Sequence, residues 1–304
     1  MPRVLNIGSL NIDYVYAIPH FARAGETLCC TSRQIFPGGK GLNQSIAVAR
    51  AGGDVTHAGM VGDDGLYLIK QLRNAGVDTG LVVQSSHPTG HTMIQVTPEG
   101  ENSIILYPGA NHQLDEAFID RALASFGKGD VLILQNEVSR IAYAMQSAKA
   151  KGMIVAFNPS PFSPDILRYP LNLVDWWLLN EIEGGLLTGQ AAPEAVLNTM
   201  GALYADSVII LTLGKEGVLC RHGQNTYRHG CYLTHVQDTT AAGDTFTGYY
   251  ISAVIKGKGI QDALRLASIA ASVSVSRKGA SVSIPHWDEV VNGTYVLNPD
   301  CLLQ

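Results

Sequence analysis

Six short runs of aliphatic and β-branched residues leave this chain little freedom of fold: "VLNIG" (4–8), "DVTHAGMVG" (54–62), "DVLILQNE" (130–137), "GMIVAFNPS" (152–160), "VDWWLLNE" (174–181) and "SVIILTLG" (207–214). Near-continuous apolar character is what a strand covered on both faces requires, and each run is followed by a segment with helical spacing. Strand and helix in alternation predict a mostly parallel central sheet between two helical layers, a three-layer αβα core. Two stretches break the alternation. They are residues 11–36 and residues 90–108, where "TGHTMIQVTPEGENSIILYPGAN" reads as a hairpin turning at Pro98, Glu99 and Gly100. They predict a small antiparallel sheet inserted in the core. No repeat, low-complexity tract or linker divides the chain, so residues 1–304 read as one domain carrying these insertions.

A composition of 46% apolar and 15% charged residues supports a large core and excludes a disordered or fibrous chain. The net charge is −5 and the longest basic run is the pair Arg277-Lys278, which speaks against nucleic acid or an anionic membrane as main partner. A small ligand is left. The five cysteines are odd in number and show no Cys-x-x-Cys spacing, so they read as free thiols in a reducing compartment. With no leader-like N-terminus and no window of 18 uncharged apolar residues, a cytoplasmic protein is expected.

Ligands of open parallel sheets bind beyond the carboxyl ends of the strands. Polar residues collect there: Asn11 and Asp13, Asn136 and Glu137, Asn158, Asn180 and Glu183, and the turn Thr212–Gly217. "FPGGKGLNQS" (36–45) places Gly38, Gly39 and Gly41 ahead of a helix expected near Asn43, but it lacks the spacing of a Walker A phosphate loop. It reads either as a tight turn with Asn43 near the N-cap, or as backbone approaching a polyol with Lys40 and Asn43 as hydrogen-bonding groups. Asn11 and Asp13 share one face of an extended segment, where an acid can accept from two sugar hydroxyls; a solvated loop acid is the plainer alternative. "TLGKEG" (212–217) could lie along a nucleotide or be a hairpin turn.

"QDTTAAGDTF" (237–246) follows a strand-like run and precedes an apolar helical segment. Small residues at a helix N-terminus let amides approach an anion, so Ala242, Gly243 and Asp244 can form an anion hole. A carboxylate in that same turn repels an anion unless it does chemistry beside it. Phosphoryl transfer needs both parts, a base for the attacking hydroxyl and positive potential for the phosphoryl group. The plainer reading of Asp244 is a helix cap.

Taken together and in order, "GSLNIDYV", "AGET", "PGGKGLNQSIAVARAGG", "GMVGDDG", "GENSIILYPGAN", "NEIEGGLLTG", "VIILTLGKEGV", "DTTAAGDTFTGYY" and "SVSRKGASVSIP" resemble the ribokinase-like sugar kinase family, over residues 4 to about 287. The resemblance implies an αβα core with a β-lid, ATP as donor, Mg²⁺ and an activating K⁺. It assigns Asp244 as base beside Ala241, Ala242 and Gly243, and Asn11, Asp13, Gly39, Lys40, Asn43 and Glu137 to the sugar. Asn180, Thr212, Leu213, Gly214, Lys215, Glu216, Gly217, Gly243 and Ser268 fall at nucleotide positions. Glu183 matches an acid linked to Mg²⁺ through water, and Asp238, Thr240, Ser274, Arg277, Gly279 and Ser283 match the monovalent-cation loop, several through carbonyls. His91 and Met93 stand where the family usually has smaller residues, and are expected to border the sugar side of the lid.

The expected activity is ATP-dependent phosphorylation of a primary hydroxyl of a small sugar, D-ribose first. A nucleoside is the alternative, stacked on Tyr14, Tyr16, Phe21 or Phe36; a non-catalytic sugar sensor is a second, although a sensor has no use for Asp244. Val15, Ile18, Ile35, Met93, Ile94, Ile104 and Leu106 place apolar surface on both alternations of the lid, which predicts a homodimer through facing lids; the plainer alternative is a second face packed on the protein's own core.

Overall fold

The computed structural model describes residues 1–301. The chain begins with β1 (Val4–Ile7), makes the lid strands β2 (Asn11–Ala17) and β3 (Ser32–Gly38), and enters α1 (Lys40–Arg50). β4 (Val55–Val61), α2 (Leu66–Asn74) and β5 (Asp78–Gln84) precede the second lid pair, β6 (Gly90–Val96) and β7 (Asn102–Tyr107). Then come α3 (Glu116–Leu123), β8 (Val131–Gln135), α4 (Ile141–Ala150), β9 (Ile154–Asn158) and β10 (Trp176–Asn180). α5 (Glu181–Thr188), α6 (Pro193–Leu203), β11 (Val208–Thr212), β12 (Val218–His222) and β13 (Asn225–His229) lead to α7 (Ala242–Ile255), α8 (Ile260–Val275) and α9 (Trp287–Asn292).

Nine strands form one sheet in the order β13-β12-β11-β10-β9-β8-β1-β4-β5, parallel apart from the antiparallel pairings of β12 and β13 at one edge. Alternate side chains enter opposite layers. Val131 and Ile133 join the core under α1, α2, α7 and α8, whereas Leu132 and Leu134 join the core under α3, α4 and α6. Full burial of each such side chain contributes about 1.5–3 kcal/mol, so a run apolar on both alternations is held from two sides.

All six expected strands form, but helices do not follow every one. β1 passes directly to β2, β9 reaches β10 through 3₁₀ turns at Pro164–Arg168 and Leu171–Leu173, and β11 runs into the β12 hairpin. β5, β12 and β13 were not expected: β5 and β13 are edge strands, half-exposed and polar ("DTGLVVQ", "NTYRH"), and β12, buried at Val218, Leu219 and Cys220, has only that short apolar run before Arg221 and His222. Nor is the stretch before residue 237 a strand. It makes one isolated bridge, Tyr232 with Leu297.

The lid sheet has the order β3-β2-β6-β7. Its outer pairs are antiparallel, and they meet through a parallel β2–β6 pairing. The 90–108 hairpin turns where expected, with Gly100 at φ +84° and its amide donating to Thr97 O at 2.9 Å. Register sorts the side chains. Asp13 stands opposite Phe36 and Thr92, and Thr92 opposite Leu106, so these four share one face. His91 and Met93 alternate onto the other face, where the His91 ring lies 5.9 Å from Tyr14 and 5.0 Å from Tyr107. His91 and Met93, expected on the sugar side of the lid, thus lie on the face opposite the sugar-assigned Asp13; a one-residue shift along a strand reverses the face. All five cysteines are free thiols, and no helix among the described residues is long and apolar enough to cross a membrane.

Candidate active site

The glycine-rich stretch ends β3 and starts α1. The helix begins at Lys40, so Asn43 lies inside its first turn; Gly39, at φ +93°, is the N-cap. A Cβ on Gly41 would come within 2.3 Å of Ser9 N and 2.5 Å of the Gly8 carbonyl carbon. Glycine is needed there for α1 to press on the β1–β2 junction. Gly38 has a different neighbour: a Cβ on it would lie 1.9 Å from Asp13 Oδ2.

The sugar-assigned side chains converge on this junction. Thr92 Oγ1 donates to Asp13 Oδ1 at 2.6 Å, and burial raises the Asp13 carboxyl above its ordinary pKa despite that bond. Asn11 is buried, its Oδ1 held at 2.7 Å by Asn111 Nδ2. Glu137 Oε2 accepts from the Lys40 amide at 2.9 Å and from Ser9 Oγ. Burial pushes the Glu137 carboxyl up, against the pull of the Lys40 ammonium. Asn43 Nδ2 donates to Asp244 Oδ2 at 3.0 Å, while Asn43 Oδ1 is buried with no partner among the described residues, a free acceptor for a ligand hydroxyl. Asn136 was expected in the cleft. It turns away instead, donating to Pro161 O at 2.8 Å.

Asp244, in the first turn of α7, is 6% exposed and caps nothing. Gln44 Nε2 reaches its Oδ1 at 2.9 Å, so both oxygens accept an amide hydrogen. Burial works against the Lys40 charge, but the carboxylates of Asp244, Glu137 and Glu183 outweigh burial and hold its pKa above the ordinary lysine value. One cation thus sits among three acids.

Ala241 precedes α7 at φ +61°, a left-handed conformation that costs a residue with a side chain about 1–2 kcal/mol. The amides of Gly243 and Asp244 have no protein acceptor among the described residues; the Ala242 amide is different, donating to Thr239 O at 3.3 Å. The anion hole expected from three amides is thus reduced to two. Glu183 and Asn180 form a reciprocal cap on α5: Asn180 Oδ1 accepts from Glu183 N at 2.9 Å, and Glu183 Oε2 accepts from Asn180 N at 3.1 Å.

Two cavities meet at α7. The smaller, about 210 Å³, is lined by Lys40, Asn180, Glu183 and the Ala241–Asp244 turn, together with Asn158, Ser160 and Thr247. The larger, about 350 Å³, is lined by Gly214, Lys215, Gly217, Ser268, Tyr232 and Val236. Thr212, Thr239, Ala242, Gly243 and Phe246 line both. The 212–217 turn is a hairpin turn and a cavity wall at once. Leu213 is the exception, buried in the core, and Glu216 lies outside the lining.

Of the six residues assigned to a monovalent cation, Ser274 closes α8 and the other five lie on the loops before α7 and after α8, which Asp238 ties together: its Oδ1 accepts from Thr240 N and its Oδ2 from Gly279 N, both at 2.9 Å. Ser274 and Ser283 donate back to Ala271 O and Ala280 O, each at 2.8 Å, and Arg277 pairs with Glu289 at 2.5 Å. Side chains are spoken for; carbonyl oxygens are what remains for an ion. Gly38, Gln44, Asn111 and Thr92 were not among the expected site residues, although Gln44 stands next to Asn43 in the glycine-rich stretch.

Residues 1–287 match the pfkB family of carbohydrate kinases. A ribokinase of Haemophilus influenzae is 36% identical over 297 residues, covering 94% of this chain and 96% of its own. Among solved structures, ribokinase from Cryptococcus neoformans in complex with ADP superposes with TM-score 0.82 at 33% identity, covering 97% of this chain and all (100%) of the other. Ribokinase of Arabidopsis thaliana complexed with ribose and ATP gives TM-score 0.85 at 28% identity, over 96% of this chain and 98% of the other.

Proposed function

The chain belongs to the pfkB family of carbohydrate kinases and is a sugar kinase, and from that premise we propose that it transfers the γ-phosphoryl group of ATP to the primary hydroxyl of D-ribose, giving ribose 5-phosphate. One observation carries the reading. Asp244 is a buried carboxylate, oriented by two amides, at the boundary between the sugar-assigned residues and a polar cavity that opens into the larger one.

Asp244 accepts the proton of the attacking hydroxyl, and the Gly243 and Asp244 amides, at the positive end of α7, receive the charge of the transferring group. Asn11, Asp13 and Asn43 hold the remaining hydroxyls, and Lys40 offsets charge between donor and acceptor. Closure of the lid excludes water, which protects ATP from hydrolysis. ATP lies along the 212–217 turn with its base toward Ser268. Bound with ATP, Mg²⁺ would supply neutralisation of the phosphate charge, and Glu183 would hold it through water. No cluster of three His, Cys, Asp or Glu side chains among the described residues could hold a metal. A single acid suits an ion that keeps its waters and rides on phosphates. Tyr14 and Tyr16 lie on the lid face away from Asp13, which leaves Phe36 as the lid-strand aromatic beside the sugar and weakens the nucleoside alternative.

ADP release measured across D-ribose, 2-deoxyribose, fructose and adenosine is expected to give the highest kcat/KM for ribose. The same assay in potassium should exceed sodium and lithium at equal ionic strength, because a larger ion fills a ring of carbonyl oxygens. Preference for adenosine would reverse the sugar assignment, and equal rates in the three salts would remove the cation site.

The lid supports self-association. β7 is an edge strand whose six residues are all exposed, with Ile104 (56%) and Leu106 (40%) on the Asp13 face and Ile105 (58%) and Tyr107 (46%) on the other. Ile12 and Tyr14 belong to the protein's own core, so only the base of the sheet is covered from within. Light scattering at micromolar concentration should give twice the 32.5 kDa chain mass, and Ile104→Glu with Leu106→Glu should halve it. A chain of single mass before substitution would rule the lid dimer out.

A further inference from the structure

Behind Asp244 a line of polar side chains crosses the hydrophobic core. Gln44 Oε1 accepts from Gln135 Nε2 at 2.7 Å, and the same Gln135 nitrogen donates to Asn6 Oδ1 at 3.1 Å. Asn6 Nδ2 donates to Ser45 Oγ and to Gly41 O, each at 2.9 Å, and Ser45 Oγ lies 2.8 Å from His57 Nδ1. Asn6, Gln44, Ser45, His57 and Gln135 are all fully buried.

The donor directions are fixed by chemistry. Ser45 accepts from Asn6, so its hydroxyl hydrogen goes to His57 Nδ1, and burial keeps that imidazole neutral, its pKa lowered to about 4. Asn6 Oδ1 must then face Gln135, whose amide nitrogen supplies hydrogens in both directions. Gln44 follows: with Oε1 occupied by Gln135, only Nε2 can face Asp244. Gln135 Oε1 has no partner among the described residues. An unsatisfied buried carbonyl is destabilising, and an apolar side chain of equal length would avoid it.

We propose that Gln135 is a positioning residue for phosphoryl transfer: it locks the Gln44 amide with its N–H₂ toward Asp244, and so holds the carboxylate aimed. The proposal rests on Asp244 being the base. Without Gln135 the Gln44 Oε1 loses its only donor among the described residues and the amide keeps, besides Asp244, only a long contact of Nε2 with Asn158 Oδ1 at 3.5 Å, so it can turn its oxygen toward the carboxylate, which replaces a donor by a repelling acceptor. The carboxylate then loses its aim. The other charged groups facing Asp244 are Lys40 at the start of α1, Glu137 after β8 and Glu183 in α5, and none of them touches Gln135.

Gln135→Met, similar in length and without polar atoms, tests this. We expect kcat to fall about 10–100-fold while KM for ribose and ATP stays within about threefold. A residue that only supports the fold would instead lower the thermal midpoint and leave kcat of the folded enzyme unchanged, and that result overturns the proposal. Gln135→Met added to Gln44→Met should change kcat no further, since Gln135 acts through Gln44; additive losses also overturn it. Should Gln135→Met not fold, Gln44→Met alone must lower kcat about 10–100-fold with KM kept, and an unchanged kcat is decisive against the lock. Asp244→Asn measured beside these separates the two readings: if it retains turnover, the base assignment fails, whereas if it is inactive and Gln135→Met is normal, only the positioning role fails.

Discussion

Asp244→Asn is expected to lower kcat by about 10²–10⁴-fold while leaving KM for sugar and ATP within several-fold. The substitution keeps shape and removes the proton acceptor. It also meets two donors, Asn43 Nδ2 and Gln44 Nε2, where the native carboxylate offers two acceptors. An asparagine can accept from only one of them, so one N–H₂ faces another, a mismatch of about 1–3 kcal/mol for a buried pair. The thermal midpoint should therefore fall together with turnover. Single-turnover measurement of ribose 5-phosphate separates the two effects, since a destabilised but folded enzyme still reacts at full rate if Asp244 is not the base. Near-native turnover would remove Asp244 from the mechanism.

Gly38→Ala should raise KM for the sugar about 10–100-fold and leave KM for ATP unchanged. The added methyl would stand 1.9 Å from Asp13 Oδ2, and the Asp13 carboxylate must swing off the sugar face to admit it. Hydrogen bonds to a charged group contribute about 1.5–3 kcal/mol, which corresponds to this range of affinity. The prediction is directional. Gly38 touches the sugar side alone and lines neither cavity, so titrating ribose at saturating ATP, then ATP at saturating ribose, should show the loss in the first series only. An unchanged ribose KM would mean that Asp13 does not bind the sugar.

Much of this site was legible because its parts are local. Asp13 two residues from Asn11 on a strand, and Asp244 in the first turn of a helix behind Ala242 and Gly243, carry their geometry in their spacing. What stayed hidden depends on partners far along the chain. Nothing near Gly38 says that Asp13 fills the space where its side chain would be, and nothing near Gln135 says that Gln44 lies against it. Strand register was equally invisible: His91 and Thr92 are neighbours in sequence, and only the pairing of β6 with β2 decides which one faces Asp13. The commitment of the Ala242 amide to Thr239 follows from the left-handed turn at Ala241, a conformation that an alanine does not announce.

The two amides that hold the Asp244 carboxylate lie 200 and 201 residues before it in the chain. Closing so long a loop adds little in free energy, since each doubling of length costs only about 0.6 kcal/mol, but contacts of that separation form late in folding. During synthesis α1 and the first strands emerge with Asn43 and Gln44 already beside each other and no carboxylate to hold. The reactive arrangement comes into being only when α7 docks on α1, after most of the sheet has been made. With Asp244 as the proposed base, an unfinished or misfolded chain has no means to consume ATP, and recovery of activity on refolding should report the docking of the two halves rather than the appearance of secondary structure.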